Sequence, residues 1–212
     1  MLKFEVYRDG KLDPAFVLRN AYLLGAEQVG LRATIRHESG VITCEKRAAG
    51  PAALSLLFDV GKIGRFAVQT CLLPEREEPY LLSLELARHR LMLLLAKQED
   101  WLMFDLPPDH TVVSRSTIAR KRFVAALNQT DDPAEADRLA RQSLEAAVDA
   151  TEELALAHAE MLLTRRRQSG QLGRGVFGCG IGPDQSAEAV RGTLQNKFDY
   201  VVLPTPWRRI EP

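Results

Sequence analysis

The sequence predicts an α+β fold with a small N-terminal β-sandwich-like region, long helices and a C-terminal strand–helix–strand unit. Apolar and polar residues alternate over residues 1–73, which is the period of a half-buried strand. Apolar residues then recur at helical spacing over 84–102 and 140–161. Residues 176–203 hold two apolar runs with a helical segment between them. The predicted domains are 1–78, 79–170 and 171–212.

The first 73 residues predict five or six short strands. Leu2, Phe4 and Val6 alternate with charged or polar neighbours, and Asp9-Gly10 indicates a turn. The segment Glu38-Ser-Gly40 separates two further alternating stretches and predicts a hairpin. Short strands with turn signals at regular spacing are typical of a small β-sandwich or an open barrel.

The change of period predicts two helices, over about 79–105 and 114–127. Pro79 can occupy the first turn of the earlier helix, because proline lacks only an N–H that would be unpaired there. Pro107-Pro108 ends that helix, since proline cannot continue the hydrogen-bond pattern.

A third, continuous helix is predicted over 132–167. Asp132 is a good N-cap, Pro133 takes the first helical position, and Glu135 completes a capping-box-like arrangement. Small and apolar residues then follow a strict four–three alternation, which is typical of a coiled-coil seam that a partner helix can approach closely. The seam consists of Ala140, Leu144, Ala147, Thr151, Leu154, His158 and Met161.

Composition limits the class of protein. Lysine plus arginine equals aspartate plus glutamate at 28 each, so no global charge favours nucleic acid or an anionic membrane. The N-terminus lacks the apolar core of a signal peptide, and the richest apolar run, Leu91–Ala96, is too short to span a bilayer. The three cysteines are scattered and odd in number, which fits a reducing compartment. A cytoplasmic location, with no membrane or nucleic-acid partner, is expected.

The glycine motif Gly173-Arg-Gly175-Val-Phe-Gly178 has the spacing of a dinucleotide-binding loop. That loop needs a strand before its first glycine and a helix opening inside it, whereas here a basic helix end precedes the motif. A glycine-rich strand entry is the favoured interpretation. The four histidines match no zinc spacing and the cysteines form no C-x-x-C pair, so we expect no metal and no cofactor.

Paired carboxylates beside an aromatic are what a glycosidase needs. Glu99, Asp100, Asp105 and Asp109 cluster in this way near Trp101 and His110. Helix ends and loops collect the same residues, and this ordinary interpretation is favoured several-fold. His158 on the helical seam is likewise expected to be a satisfied core histidine and not a ligand.

The run from Phe198 to Pro212 contains Phe-Asp-x-Val followed by Trp-x-x-Ile-Glu-Pro, and the aromatic–glycine pair Phe177-Gly178 precedes it. This pattern resembles the start of the catalytic domain in glycoside hydrolase family ten, the endo-β-1,4-xylanases. The resemblance covers roughly Val176 to Pro212, and the β region and helices before it loosely resemble N-terminal extensions of some bacterial members. The matching positions are Phe198, Asp199, Val201, Trp207, Ile210, Glu211 and Pro212.

The resemblance implies that the C-terminal unit is the incomplete start of a (β/α)8 TIM barrel. Its acid/base and nucleophile glutamates would lie on later strands, beyond Pro212, so no catalytic residue is expected in this chain. The family usually carries a Glu-Asn pair and a lysine before the tryptophan, whereas this chain has Leu203-Pro-Thr-Pro206 there, so those sugar contacts do not carry over. The remaining candidates for substrate binding follow the second strand, on the face where barrels build their sites. They are Thr205, Trp207 and Arg208.

The first functional hypothesis is the N-terminal part of a glycoside hydrolase acting on β-1,4-linked plant polysaccharide such as xylan, inactive as these 212 residues alone. The partner would be a polysaccharide or oligosaccharide. A non-catalytic carbohydrate-binding β-sandwich module and a helical interaction protein are the alternatives. Self-association is expected through the open barrel edge or through helix 132–167, because unpaired strand edges and apolar faces associate.

Overall fold

The computed structural model describes residues 1–170, 173, 175–182 and 197–210. It divides into two compact units, Met1–Ala159 and Glu160–Pro212. Both helices and strands contribute, so the fold is α+β, as the sequence predicts. Within the described ranges, no helix is both long enough and apolar enough to cross a membrane.

Ten short strands lie in the first unit, and eight of them form two four-stranded sheets. The first sheet has the order β10-β1-β7-β6 and the second has the order β5-β4-β8-β9, while β2 and β3 form a separate hairpin. The strands are β1 (Leu2–Glu5), β2 (Tyr7–Arg8), β3 (Lys11–Leu12), β4 (Tyr22–Leu24), β5 (Gly30–Leu31), β6 (Ala33–Glu38), β7 (Val41–Lys46), β8 (Ala53–Asp59), β9 (Arg65–Gln69) and β10 (Tyr80–Leu81).

Both predicted turns are confirmed. Asp9 and Gly10 connect β2 to β3 with φ of 51° and 76°, and Ser39 and Gly40 connect β6 to β7 with φ of 50° and 85°. Positive φ at both central residues gives the twist that two-residue hairpins require. Gly40 is required for a second reason, since a Cβ there would come within 2.8 Å of the Leu12 Cβ.

The helices of the first unit are α1 (Leu82–Asp100), α2 (Thr111–Leu127) and α3 (Pro133–Gln168), the last of which continues into the second unit. The predicted start of α1 at Pro79 is wrong, because Tyr80 and Leu81 form β10 and pair in parallel with β1. The Tyr80 ring packs 5.9 Å from the Phe4 ring, centroid to centroid. A tertiary contact therefore takes these two residues out of the helix.

The two sheets and the helices share one hydrophobic core. It joins the fully buried Phe4 of the first sheet and Leu56 of the second to Leu86 of α1 and Leu144 of α3. This cluster therefore includes residues on both sides of the predicted boundary at residue 78.

The start of α3 is partly as predicted. Asp132 accepts a hydrogen bond from the Glu135 backbone N–H at 3.2 Å, which confirms it as the N-cap. The capping-box role of Glu135 is wrong, because its carboxylate bonds the Arg138 guanidinium and the Asp132 N–H donates to the Gln129 carbonyl instead. The helix is otherwise continuous over its 36 residues, about 54 Å at the usual rise.

The seam of α3 packs against helices of the same chain. Ala140 shares a buried cluster with Leu84 of α1 and Ala126 of α2. Beside the seam, the Ser143 hydroxyl donates to the Ala119 carbonyl of α2 at 2.8 Å. The small seam residues therefore allow α2 to approach α3 closely, and this part of the seam is already covered.

In the second unit, β11 (Gly178–Gly180) pairs in parallel with β12 (Tyr200–Val202), which confirms the predicted pairing, and α4 (Trp207–Ile210) follows. The Tyr200 ring lies over Gly178 so closely that a Cβ there would overlap it. The Asp199 carboxylate accepts a hydrogen bond from the Phe177 N–H, and the Asp199 N–H donates to the Phe177 carbonyl at 2.7 Å. The predicted crossing helix 184–196, together with Glu211 and Pro212, lies outside the described residues.

All three cysteines are free thiols, and their burial differs. Cys44 is fully buried, and this burial raises the pKa of its thiol to about 12. Cys71 is half-buried, and burial with the nearby Glu85 charge raises its pKa as well. The Cys71 Sγ lies 3.3 Å from the Met92 Sδ.

We expect Cys44 to resist alkylation in the native protein at about pH 8, because the thiolate is the nucleophile and burial disfavours it. Mass spectrometry of iodoacetamide-treated protein measures this, with urea-unfolded protein as the control in which Cys44 reacts. Rapid labelling of native Cys44 would contradict the buried position.

The raised pKa of Cys44 also makes the stability of the fold depend on pH. The contribution of Cys44 to stability is fully present below pH about 9, its unfolded value, and is lost as pH rises toward about 12.

Candidate functional site

The three residues predicted to contact substrate all lie at exposed positions after β12. Trp207 is the first residue of α4 and is 72% exposed. Thr205 and Arg208 are exposed beside it in sequence. The Trp207 ring therefore has a face available for stacking, but no enclosing pocket is described at these residues.

The acidic cluster near Trp101 has ordinary structural partners. Asp100 pairs with Lys97 at 2.8 Å. The Trp101 ring stacks on the His158 ring with centroids 4.5 Å apart and planes 5° from parallel. Since this aromatic face is occupied by a protein side chain, the glycosidase interpretation of these carboxylates gains no support.

A better-formed site lies in the first unit, in a cavity of about 200 Å³ between the second sheet and α1. We call it the Arg90 cleft. Strands β4, β8 and β9 supply one wall and α1 the other, which brings together side chains that are distant in sequence. The lining residues are Tyr22, Ser55, Ala67, Val68, Gln69, Leu86, His89, Arg90 and Leu93.

Tyr22 is the aromatic residue of this cleft. It is 50% exposed, whereas Phe58 of the neighbouring strand β8 is buried in the core. Its position opposite Ser55 in the β4–β8 register places it on the sheet, with its backbone held by the strand pairing. A ring that is half exposed at a cleft can stack on a ligand without first leaving the core.

Gln69 and His89 form a hydrogen-bonded pair inside the cleft. The Gln69 side-chain nitrogen lies 3.1 Å from the His89 Nε2 and donates to the Gln28 amide oxygen at 3.1 Å. Burial, and secondarily the charge of Arg90, lower the pKa of His89, so the imidazole is neutral at pH 7. An amide nitrogen only donates, so Nε2 is the acceptor and the ring proton is assigned to Nδ1.

Arg90 is the charged residue of the cleft. Its guanidinium lies 5.4 Å from the centroid of the Phe66 ring. Its Nε is buried and has no hydrogen-bond partner among the residues that the structure describes, and no described carboxylate lies within salt-bridge distance. Burial lowers the pKa of Arg90, with Glu152 acting in the opposite direction, but a guanidinium stays protonated at neutral pH.

A second, larger cavity of about 520 Å³ lies beside the start of α3, and its three arginines already form ion pairs. Arg8 pairs with Asp13, Arg138 with Glu135, and Arg141 with Asp137. Arg90 differs from these arginines because no described carboxylate pairs with it. An anionic ligand therefore gains more free energy by pairing with Arg90 than with an arginine that already forms an ion pair. Over the described ranges, no three histidine, cysteine or acidic side chains are placed to share a metal ion.

The sequence patterns do not predict the Arg90 cleft. Tyr22, Gln69, His89 and Arg90 belong to no motif that indicates a binding site. A signal exists on α1, where Leu86, His89, Arg90 and Leu93 follow helical spacing, so two polar residues interrupt an otherwise apolar stripe. The strand residues of the cleft carry no comparable signal.

Comparison with known proteins finds no matching family model, no matching curated protein and no matching solved structure.

Proposed function

We propose that this chain is the N-terminal part of a glycoside hydrolase that acts on β-1,4-linked plant polysaccharide such as xylan. The supporting observation is the parallel pairing of β11 with β12, with the Trp207 helix beginning after four further residues. Parallel neighbours joined by a helix are the repeating unit of a (β/α)8 barrel. In the family that the sequence resembles, two such parallel strands are expected at the start of the barrel.

Asp199 connects the two strands of the proposed barrel start. Asp199 belongs to the Phe-Asp-x-Val pattern, and its side chain and backbone both bond Phe177 at the start of the preceding strand. An acidic residue that accepts the Phe177 N–H fixes the register of two adjacent strands. We therefore assign Asp199 a structural role in the proposed barrel start.

In the proposal, Thr205, Trp207 and Arg208 lie beyond the carboxyl end of β12, where barrel enzymes assemble their sites. The exposed Trp207 ring would stack on a sugar face, and Thr205 and Arg208 would donate hydrogen bonds to hydroxyls. The three free cysteines fit the proposed cytoplasmic location, since reducing compartments keep thiols unpaired.

We expect no measurable hydrolysis of xylan or aryl-xylosides by the 212 residues alone. A retaining glycosidase needs two carboxyls about 5 Å apart flanking the bond, and one barrel corner does not supply both. Release of reducing ends or of nitrophenol measures the activity against a buffer blank. Turnover above the blank that is abolished by a point substitution within this chain would refute the expectation.

The gene sequence downstream of Pro212, in the same reading frame, tests the parent activity. Further strand–helix units with an Asn-Glu after the fourth strand are expected, and the protein that includes them is expected to hydrolyse xylan. A different continuation, or an extended protein inactive on β-1,4-linked polysaccharides, would sink the glycosidase proposal.

A second candidate function, carbohydrate binding by the first unit, is favoured by the Arg90 cleft. An exposed tyrosine next to hydrogen-bonding side chains suits a sugar ring, which has apolar faces and polar edges. The third hypothesis, a helical interaction protein, loses its support because Ala140, Leu144 and Leu154 of the seam are buried within the first unit.

A further inference from the structure

We propose that the Arg90 cleft binds a small acidic sugar, of the hexuronate class, through its carboxylate. This inference rests on the second candidate function, carbohydrate binding by the first unit, and specifies its ligand. It concerns Tyr22, Gln69, His89 and Arg90, none of which belongs to the barrel start.

The positive charge of the cleft favours an anionic ligand. None of its nine lining residues is acidic, and the guanidinium of Arg90 has no described carboxylate within salt-bridge distance. Glu152 affects Arg90 only by electrostatic attraction, without a hydrogen bond or an ion pair at contact distance. A half-buried cation without a close counter-ion costs free energy, and an anionic ligand would offset that cost. Binding of an anion is therefore favoured over binding of a cation or a neutral molecule.

The geometry favours a carboxylate. A guanidinium is planar and presents parallel N–H donors, which match the two oxygens of a carboxylate. The Nε of Arg90 is buried, but the terminal guanidinium nitrogens have no hydrogen-bond or ion-pair partner among the described residues and can take part in such a pair. The neighbouring His89 is neutral and contributes no second positive charge, so the cleft holds one cation for one negative charge.

The remaining lining groups suit a sugar ring attached to that carboxylate. Tyr22 offers a half-exposed aromatic face, while Gln69 and Ser55 offer polar groups for hydroxyls. The volume of about 200 Å³ is below the range of about 300–1,000 Å³ that holds drug-sized ligands. One sugar ring is the size of ligand that fits.

Titration calorimetry of the full 212-residue chain with glucuronate, glucose, acetate and inorganic phosphate tests the inference. Glucuronate is expected to bind about tenfold or more tightly than any of the other three, because a charge-assisted hydrogen bond and ring stacking each add to its affinity. Arg90→Gln is expected to lower glucuronate affinity by about tenfold or more, and to leave any weak glucose binding unchanged.

Two control variants separate ligand contact from general damage. Arg120→Gln removes an exposed arginine on α2 that does not line the cleft, and it is expected to leave glucuronate binding unchanged. Tyr22→Phe keeps the stacking ring, whereas Tyr22→Ala removes it and is expected to weaken glucuronate binding several-fold. Circular dichroism tests whether each variant is folded. If Arg90→Gln does not fold, the ratio of the glucuronate affinity to the glucose affinity of the unmodified chain decides the acidic-sugar assignment.

The possible outcomes distinguish a failure of the acidic-sugar assignment from a failure of carbohydrate binding by the first unit. Equal binding of glucuronate and glucose would overturn the acidic-sugar assignment and leave carbohydrate binding standing. Acetate or phosphate binding as tightly as glucuronate would overturn the sugar assignment. No binding of glucuronate or glucose would overturn both the inference and carbohydrate binding at this cleft.

Discussion

Replacing Phe58 by alanine is expected to lower the free energy of unfolding by about 3–5 kcal/mol, the usual cost of removing a large buried ring. Phe58 is 2% exposed in β8. Its ring packs 6.4 Å from the Phe16 ring, and the Arg141 guanidinium of α3 lies 4.7 Å from its centroid. The substitution would leave a cavity where the second sheet meets α3.

The effect should exceed simple loss of apolar area, because Arg141 also holds other parts of the first unit. Its guanidinium pairs with Asp137 at 2.8 Å and donates to the Tyr7 carbonyl at 2.6 Å. The ring of Phe58 supports the stem and plane of this arginine, so its removal would loosen the contact between α3 and the β2–β3 hairpin.

Urea denaturation followed by far-ultraviolet circular dichroism measures the change. Phe104→Ala is the matched control, since it deletes the same ring from a position that is 60% exposed, and it should change stability by less than about 0.5 kcal/mol. A loss below about 1 kcal/mol for Phe58→Ala, or equal losses for the two variants, would show that the core is not packed as described.

The features of the fold that the sequence predicts correctly depend on residues close together in the chain. The hairpin at Ser39-Gly40 and the N-cap of Asp132 each depend on a few neighbouring residues, and both are confirmed. The misplaced start of α1 depends on a non-local contact, the parallel pairing of β10 with β1, which no local pattern encodes. Glu135 was predicted to reach backward to Asp132, but Arg138, one turn further along, offers its carboxylate a charged partner.

The Arg90 cleft is not predictable from the sequence for the same kind of reason. Tyr22 and Gln69 meet there because β4 and β9 both pair with β8, and α1 then covers that sheet with His89 and Arg90. None of these residues belongs to a short motif. By contrast, the strand pairing near Asp199 was predicted because its two apolar runs flank one helical segment within forty residues of sequence.

The exposed strands of the second unit should make the full chain self-associate. Side chains on both faces of β12 are exposed, with Val201 at 44% and Val202 at 54%, and Phe177 before β11 is 69% exposed. A two-stranded sheet with open apolar faces is marginal alone and gains stability by pairing or packing. Helix 132–167 is the weaker alternative, because its seam is buried within the first unit at Ala140, Leu144 and Leu154.

Sedimentation velocity at increasing protein concentration measures this association. Val202→Lys is expected to weaken it by about tenfold or more, since burying one such apolar side chain contributes about 1.5–3 kcal/mol and a buried lysine would cost more. Val124→Lys on α2 is the matched control, because Val124 has the same 54% exposure but lies in the first unit. A chain that stays monomeric at every concentration, or a control variant that weakens association equally, would show that β11 and β12 do not form the contact surface.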